Sequence, residues 1–251
     1  MLSFERKQKI LNILEKKKFI AVEDLGKMIY CSPATVRRDL SELATEGLIR
    51  RIRGGAAYIE EKSVDLPYSF RNVIERDKKK YIAKLALDFI SNDMTLFIDS
   101  STTALQIVPH LKEYSGLKIL TNGTVTAQLL SENTDALVTC VGGKVHPNNS
   151  SINGAIACDF ISNFQADLAL LSAKSLSKFG AMEFSEDEAM VRKAYQKYAK
   201  QTVLLIDSTK FEISCFYQSL PFEKINYIIS DQALPKELQK IADKNKIECI
   251  Y

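Results

Sequence analysis

The chain of 251 residues carries 34 lysine and arginine residues against 31 acidic residues, a net charge of +3. With 46% hydrophobic and 26% charged residues it has the composition of a folded globular protein, which excludes a mostly disordered chain. No run approaches the roughly 20 apolar residues of a membrane helix, and the first residues lack the apolar stretch of a signal peptide. We therefore expect a cytoplasmic protein that does not bind a membrane.

Metal and disulfide chemistry have little support in the sequence. The five cysteines are scattered without a CxxC pair, and the two histidines, His110 and His146, have no second ligand at a recognised metal spacing. Neither a P-loop nor a GxGxxG motif occurs. We predict no metal site, no disulfide framework and no cofactor.

Positive charge is concentrated at the start of the chain. Residues 1–56 hold 12 basic and 7 acidic residues, a net charge of +5, whereas the remainder holds 22 basic and 24 acidic residues, a net charge of −2. A small basic head on a near-neutral body indicates a module that binds a polyanion, joined to a second domain.

Helical periodicity predicts three helices in the basic head. Apolar residues mark one amphipathic helix over residues 3–17 and a short second helix over Val22–Ile29. A third helix begins at Ser32 and Pro33, because serine is a favoured N-cap and proline suits the first helical position. Gly47 suits the left-handed cap that ends this helix.

The third helix and the segment after it predict a DNA-binding surface. With Val36 facing inward, residues 35, 37 and 38 lie on the exposed face near the end of the helix that normally meets base edges. Two strand-like runs around Gly54-Gly55 predict an arginine-rich hairpin, or wing, that contacts phosphates or a minor groove. The predicted DNA-binding residues are Ser32, Pro33, Ala34, Thr35, Arg37, Arg38, Arg50, Arg51 and Arg53. The alternative is a generic three-helix domain with basic, solvated faces.

The rest of the chain alternates between strand and helix patterns, which predicts an α/β domain with a largely parallel sheet. The predicted strands are Thr95–Asp99, Leu117–Thr121, Ala136–Val141, Asp167–Ser172, Thr202–Asp207, Tyr227–Ser230 and Ile247–Ile250. The predicted helices are Lys79–Ser91, Thr103–Lys112, Thr124–Ser131, Ile156–Phe164, Ser185–Lys200 and Pro235–Asn245. We thus expect a DNA-binding domain at 1–57, a linker at 58–75 and an α/β domain for effector binding and oligomerisation at 76–251.

Polar residues follow several of these strands, where parallel sheets bind ligands. Hydroxyls and backbone N–H groups at a helix start can hold an anion, Asp99 can accept hydrogen bonds from sugar hydroxyls, and Lys210 adds a point charge for a phosphate. The predicted effector residues here are Asp99, Ser100, Ser101, Thr102, Thr103, Thr121, Asn122, Gly142, Gly143, Lys144 and Lys210. Each motif alone is equally typical of helix caps and turns.

Both halves of the sequence resemble one family. The motifs that carry the resemblance are Ser32-Pro33-Ala34-Thr35-Val36-Arg37-Arg38-Asp39-Leu40, Glu46-Gly47-Leu48, Gly54-Gly55-Ala56, Asp99-Ser100-Ser101-Thr102-Thr103, Thr121-Asn122, Gly142-Gly143 and Asp207-Ser208-Thr209-Lys210-Phe211. They look like the signature of the DeoR family of bacterial transcriptional regulators. The resemblance implies a helix-turn-helix at about 20–39 and a sensor domain similar to ribose phosphate isomerase. It also implies a phosphorylated sugar or related metabolite as effector, and a repressor acting as a dimer or tetramer on operator DNA.

Two alternatives remain. An isomerase or deaminase with a DNA-binding head would need a positioned base. Acidic residues follow a central strand in the related isomerases, but the corresponding segment here, Leu170–Ser177, contains no carboxylate. Asp99 and Glu183 remain candidate bases without a paired acid–base spacing, so we predict a protein that is not an enzyme. A constitutive DNA binder with a degenerate sensor is the other. Ser101 stands where the family usually has glycine, and Lys174, which we add to the effector residues, could supply charge to the pocket or fill it.

Overall fold

The computed structural model describes residues 3–45, 48–58, 67–147 and 149–251, except the side chains of Phe4 and Glu15. The chain divides into two units, Met1–Val73 and Ile74–Tyr251. The predicted cap at Gly47 and positions 59–66 of the predicted linker lie outside the described residues. The expected fold class, a helix-turn-helix head followed by a parallel-sheet α/β domain, is confirmed.

The first unit is a winged helix-turn-helix. Its elements are α1 (Ser3–Lys17), β1 (Phe19–Ala21), α2 (Val22–Ile29), α3 (Pro33–Thr45), β2 (Ile49–Ile52), β3 (Gly55–Tyr58) and the one-turn helix α4 (Tyr68–Arg71). The strands form an antiparallel sheet in the order β1-β3-β2, and the three-residue strand β1 is an addition to the predicted hairpin. Leu25 of α2 and Val36, Leu40 and Leu43 of α3 are fully buried, which confirms the apolar faces read from the sequence.

Glycine is required where strand β3 of the wing pairs with β1. A Cβ atom on Gly55 would lie 2.3 Å from the carbonyl oxygen of Ile20, and Gly54 has a φ of +80°. Only glycine allows this close approach and this left-handed backbone without strain. Gly54 therefore allows the turn of the wing, and Gly55 allows β3 to pack closely against β1.

The second unit is built on a seven-stranded parallel sheet. Its helices are α5 (Arg76–Ala86), α6 (Thr124–Asn133), α7 (Ala155–Ile161), α8 (Glu186–Tyr198) and α9 (Lys236–Lys244), with 3-10 segments at Leu87–Phe89, Ala104–Glu113, Ser208–Lys210 and Phe222–Lys224. Its strands are β4 (Thr95–Ile98), β5 (Lys118–Thr121), β6 (Leu137–Cys140), β7 (Val145–His146), β8 (Ser151–Ile152), β9 (Ala166–Leu171), β10 (Ser175–Ser177), β11 (Gly180–Glu183), β12 (Ala199–Leu205), β13 (Tyr217–Leu220), β14 (Tyr227–Ile229) and β15 (Glu248–Ile250).

The strand order of the main sheet, β15-β14-β12-β9-β4-β5-β6, contains one reversal of direction. From β4 the chain adds β5 and β6 on one side, then crosses to β9 and continues outward through β12, β14 and β15 on the other. The carboxyl ends of β4 and β9 therefore flank a topological switch point, the position where open α/β sheets bind ligands. Asp99 follows β4 and Ser172 follows β9.

Three features depart from the predicted pattern. The segment predicted as a helix at Thr103–Lys112 consists of 3-10 turns, and it contains Pro109, whose ring removes a donor and disfavours continuous α-helix. An antiparallel sheet, β10-β11-β13, and the small hairpin β7–β8 were not predicted. Among the described residues no helix is both long and apolar enough to span a membrane.

Candidate DNA interface and effector site

The start of α3 is held by a local hydroxyl pair. The Oγ atom of Ser32 accepts a hydrogen bond from the backbone N–H of Thr35 at 3.2 Å, and the two side-chain hydroxyls lie 3.0 Å apart. This confirms Ser32 as the cap of the helix that begins at Pro33. Residues 32–34 are exposed and Thr35 is half-buried, so the first turn of α3 is open to an external partner.

The two arginines predicted to face DNA are exposed, and the acidic residue beside them is not. Arg37 and Arg38 are exposed, whereas Asp39 is fully buried. Asp39 forms a bidentate pair with Arg6 of α1, in which Nη2 of Arg6 donates to Oδ1 at 2.9 Å and Nε donates to Oδ2. The ion pair between Asp39 and Arg6 joins α3 to α1. The negative charge of Asp39 is therefore neutralised inside the domain and does not lie on the exposed face of α3.

The wing arginines differ in their surroundings. Arg50 and Arg53 are exposed. Arg51 is exposed too, but its Nη1 donates to the carbonyl oxygen of Arg37 at 3.0 Å and to Oγ of Ser41 at 2.9 Å. Arg51 thus joins strand β2 of the wing to the middle of α3.

At the switch point Asp99 joins the ends of two neighbouring strands. Its Oδ1 accepts the N–H of Ser101 and its Oδ2 accepts the N–H of Ser172, both at 2.9 Å. The backbone carbonyl of Ser172 accepts a bond from Nε of Arg192 at 2.5 Å, and that Nε also lies 3.6 Å from Oδ2 of Asp99. Asp99 and Arg192 therefore hold the polar loops after β4 and β9 together.

Asn122 performs the same role on the other side of β4. Its Oδ1 accepts the N–H of Ser100 at 3.0 Å, and its Nδ2 donates to the carbonyl of Ile152 at 3.1 Å and to Oδ1 of Asn153 at 3.0 Å. Thr121 accepts the N–H of Gly123 at 3.1 Å. These amide and hydroxyl groups form the frame of the site, because their bonds run between backbone segments.

Three of the backbone N–H groups after β4 are engaged by side chains. We expected this hydroxyl-rich turn to offer backbone donors to an anion. The N–H of Ser100 donates to Asn122, that of Ser101 to Asp99, and that of Ala104 to Oγ of Ser101 at 3.1 Å. These three N–H groups are therefore not available to an anion at this edge of the sheet.

Basic side chains reach the switch point instead. Nζ of Lys210 lies 3.4 Å from Oγ of Ser172 and 3.6 Å from Oδ2 of Asp207. Arg192, which the sequence analysis missed, is buried within the same group. The sequence did contain a signal for Arg192. This residue lies three positions from Ala189 and three from Tyr195, so it shares the buried face of α8 with them.

Two buried carboxyl groups nearby have opposite pKa shifts. Burial raises the pKa of Glu183 to about 8, although Arg192, whose Nε lies 2.9 Å from Oε1, works against this rise. Burial also favours a higher pKa for Asp207, but Lys210, the hydrogen bond from Thr209 and the charges of Lys79 and Lys78 together lower it below its usual value. Glu183 therefore keeps its proton to a higher pH than an exposed glutamate does, and Asp207 is ionised at neutral pH.

Buried polar atoms without a hydrogen-bond partner among the described residues collect at this edge of the sheet. Such atoms are rare in folded proteins and mark places that await water, ions or ligands. In the second unit they belong to Thr103, Thr126, Ser175, Glu183, Glu188, Asp207 and Ser230. Thr103, Asp207 and Ser230 follow strands of the main sheet, Thr126 and Glu188 lie in the first turn of a helix, and Ser175 and Glu183 belong to the short strands β10 and β11.

The remaining predicted residues are less closely connected. Lys174 is half-buried, and its N–H donates to the carbonyl of Met182 at 3.1 Å. Gly142, Gly143 and Lys144 follow β6, which is two strands away from β4. Lys144 lines a separate cavity of about 470 Å³ with His146 and Asp187. The structure thus brings residues 99–103, 121–122 and 210 into one region and leaves residues 142–144 at its margin.

Comparison with known proteins gives matches along almost the whole chain. A family model described as the DeoR-like helix-turn-helix domain matches residues 6–62, and one described as the DeoR C terminal sensor domain matches residues 74–232. The HTH-type transcriptional regulator GolR of Listeria innocua is 31% identical over 96% of this chain and 95% of that protein. The Glycerol-3-phosphate regulon repressor of Escherichia coli is 28% identical over 97% of each. Among solved structures, a D-ribose-5-phosphate isomerase in complex with phospho-erythronic acid has a TM-score of 0.41 and 17% identity over 54% of each chain.

Proposed function

The chain belongs to the DeoR family of helix-turn-helix transcriptional regulators, and we propose that it represses transcription under the control of a phosphorylated sugar or related metabolite. The relatives are named as regulators and repressors, and the chain is a DNA-binding regulator, not an enzyme. The residues that contact DNA and the effector, the chemistry of the effector and the oligomeric state are the parts that we propose.

For DNA binding we propose that the first turn of α3, residues 32–35, enters the major groove with Arg37 and Arg38 beside it. Exposure of both arginines and burial of Asp39 support this face, because the field there is positive. Arg50 and Arg53 of the wing contact phosphates. Arg51 acts as a positioning residue, since its donors already bridge the wing to α3.

For effector binding, the observation that carries the proposal is the group of buried polar side chains near the β4–β9 switch point, where the hydroxyls of Thr103 and Ser175 have no hydrogen-bond partner among the described residues and two basic side chains lie nearby. Lys210 and Arg192 supply the charge for a phosphate. Hydroxyl and carboxyl groups of Thr103, Ser175 and Glu183 have hydrogen-bonding capacity to spare for the hydroxyls of a sugar. Lys174 adds a third cation at the rim, and residues 142–144 are at most peripheral.

Repression and its relief require that the effector bind two states of the protein unequally, because a ligand with equal affinity for both shifts nothing. We propose that the α/β unit also joins two or four chains, so that paired α3 helices meet repeated operator sites.

The proposal is tested by thermal unfolding of the purified protein with a panel of phosphorylated sugars and their unphosphorylated counterparts. A ligand at 100 times its Kd adds about 2.7 kcal/mol, enough to raise Tm by a few degrees. We expect Tm to rise with a phosphorylated compound and not with its unphosphorylated counterpart. This rise is lost in Lys210→Met and kept in the control Lys240→Met, at an exposed position on α9. A rise that is equal with the unphosphorylated counterpart, or that survives in Lys210→Met, contradicts the proposed phosphate site.

A further inference from the structure

Tyr30 is the first of three residues between α2 and α3, and its backbone has a left-handed conformation with φ 56° and ψ 47°. Its N–H and that of Cys31 both bond to the carbonyl of Gly26, which closes the helix-turn-helix turn. Left-handed positions at helix ends are usually glycine, or asparagine, because a Cβ is unfavourable there. A bulky tyrosine at this position costs conformational energy.

No contact of the Tyr30 side chain with the described residues offsets this conformational energy. The side chain is 94% exposed, and the ring makes no hydrogen bond, ion pair or ring contact with any residue that the structure describes. An exposed aromatic ring held in an unfavourable backbone conformation indicates a role in contact with another molecule.

The position of Tyr30 suggests which molecule that is. The turn leads within two residues to Ser32, whose hydroxyl caps α3, and the exposed residues 32–34 continue the same surface. Tyr30 lines a shallow hollow with Lys27, Glu23 and Pro33 at the start of that helix. In helix-turn-helix proteins the start of the recognition helix enters the groove while the preceding helix crosses the sugar-phosphate backbone. A residue in the turn that joins the two helices lies between these two contacts.

We propose that Tyr30 is a DNA-contacting residue whose hydroxyl donates a hydrogen bond to a backbone phosphate beside the recognition helix. Tyrosine hydroxyls are among the usual donors to phosphate oxygens, and such contacts fix the register of the protein without reading sequence. The inference rests on the proposed docking of α3 in the major groove.

Two variants separate this role from a structural one. Tyr30→Asn keeps a residue that tolerates the left-handed conformation, so Tm stays equal or rises while DNA affinity falls about tenfold. Tyr30→Phe keeps the ring and loses only the hydroxyl, and we expect a similar loss. Affinity is measured by fluorescence anisotropy with a mixed-sequence duplex of about 30 base pairs at several salt concentrations. The slope of log K against log salt stays unchanged, because a neutral tyrosine releases no counterions.

Matched controls are Phe216→Asn, which removes another highly exposed ring, and Tyr81→Phe, which removes another exposed hydroxyl; both leave DNA affinity unchanged. Wild-type affinity in Tyr30→Asn overturns the inference, and wild-type affinity in Tyr30→Phe overturns the phosphate hydrogen bond. If Arg38→Ala in the same assay also binds like the wild type, the fault lies in the proposed α3 surface. If Arg38→Ala binds more weakly, the fault lies in the role given to Tyr30 alone.

Discussion

Neighbouring residues on α3 have opposite environments that divide folding from recognition. Val36 and Asp39 are buried, one in the apolar core and the other against Arg6, whereas Arg37 and Arg38 between them are exposed. A helical repeat of 3.6 residues predicted the inward position of Val36 and the exposure of both arginines, whereas the burial of Asp39 was not predicted. The partner of Asp39 could not be predicted, because Arg6 lies 33 positions away.

Replacing Arg38 with alanine tests the exposed face. We expect weaker DNA binding and a salt slope reduced in magnitude by about 0.9, the change that follows from one lost phosphate contact. Anisotropy titrations at several salt concentrations measure both quantities, with Lys112→Ala of the other unit as the control. Unchanged affinity and slope in Arg38→Ala would remove this face from the DNA interface.

Glu183 leads to a prediction about pH. Burial raises its pKa from the ordinary glutamate value of 4.5 to about 8, so the folded protein keeps a proton that the unfolded chain loses above about pH 4.5. The carboxyl therefore lowers stability progressively as the pH rises from about 4.5 to 8.

The variant Glu183→Gln is expected to abolish this pH-dependent loss of stability, because glutamine does not titrate. Its Tm relative to wild type should increase between pH 5 and pH 8, by several degrees at the upper end, as measured by thermal unfolding at each pH. Glu237→Gln, at an exposed position on α9, should track the wild type. A constant difference between Glu183→Gln and wild type across this range is the contrary result.

At the scale of elements, the sequence predicted every strand of the main sheet, mostly to within one or two residues. Buried runs such as Leu168–Leu171 are apolar on both faces, a pattern typical of central parallel strands. The missed strands, β1, β7, β8, β10, β11 and β13, have two to four residues each. Segments this short carry too little periodicity for recognition, and their pairing depends on partners distant in sequence, such as Ala181 with Leu220.

The sequence predicted where the candidate effector site lies, but it did not predict which hydrogen-bond donors are available there. Because the strand ends could be located, their polar residues were expected to meet, and Asp99, Asn122 and Lys210 lie in that region. Which N–H groups remain available depends on side-chain bonds that sequence does not encode locally. Arg192 belongs to α8, and it was not among the predicted site residues.

The contact of Arg51 with α3 makes the wing and the recognition helix one element. Replacing Arg51 with lysine keeps the charge but loses the planar fork that reaches both Arg37 and Ser41. We expect DNA affinity to fall several-fold with an unchanged salt slope, and amide exchange of β2 and β3 to become faster. Wild-type affinity and exchange in Arg51→Lys would show that the bridge does not position the wing.

At the scale of the whole molecule, one chain carries one recognition helix, and repeated operator sites call for more than one. Light scattering coupled to size exclusion is expected to give two or four times the chain mass of 28.2 kDa. A mass of one chain at micromolar concentration would contradict an oligomerisation role for the α/β unit.

We propose that a phosphorylated ligand at the switch point controls DNA binding by the other unit. The most direct measurement is the affinity for a duplex that the protein itself selects from a random-sequence pool, with and without the compound that raises Tm, in wild type and in Lys210→Met. We predict a change of roughly 5- to 150-fold in the wild type, the usual range of allosteric coupling, and none in Lys210→Met, whose affinity without the compound matches the wild type. An identical change in both proteins, or no change in either, would contradict the account.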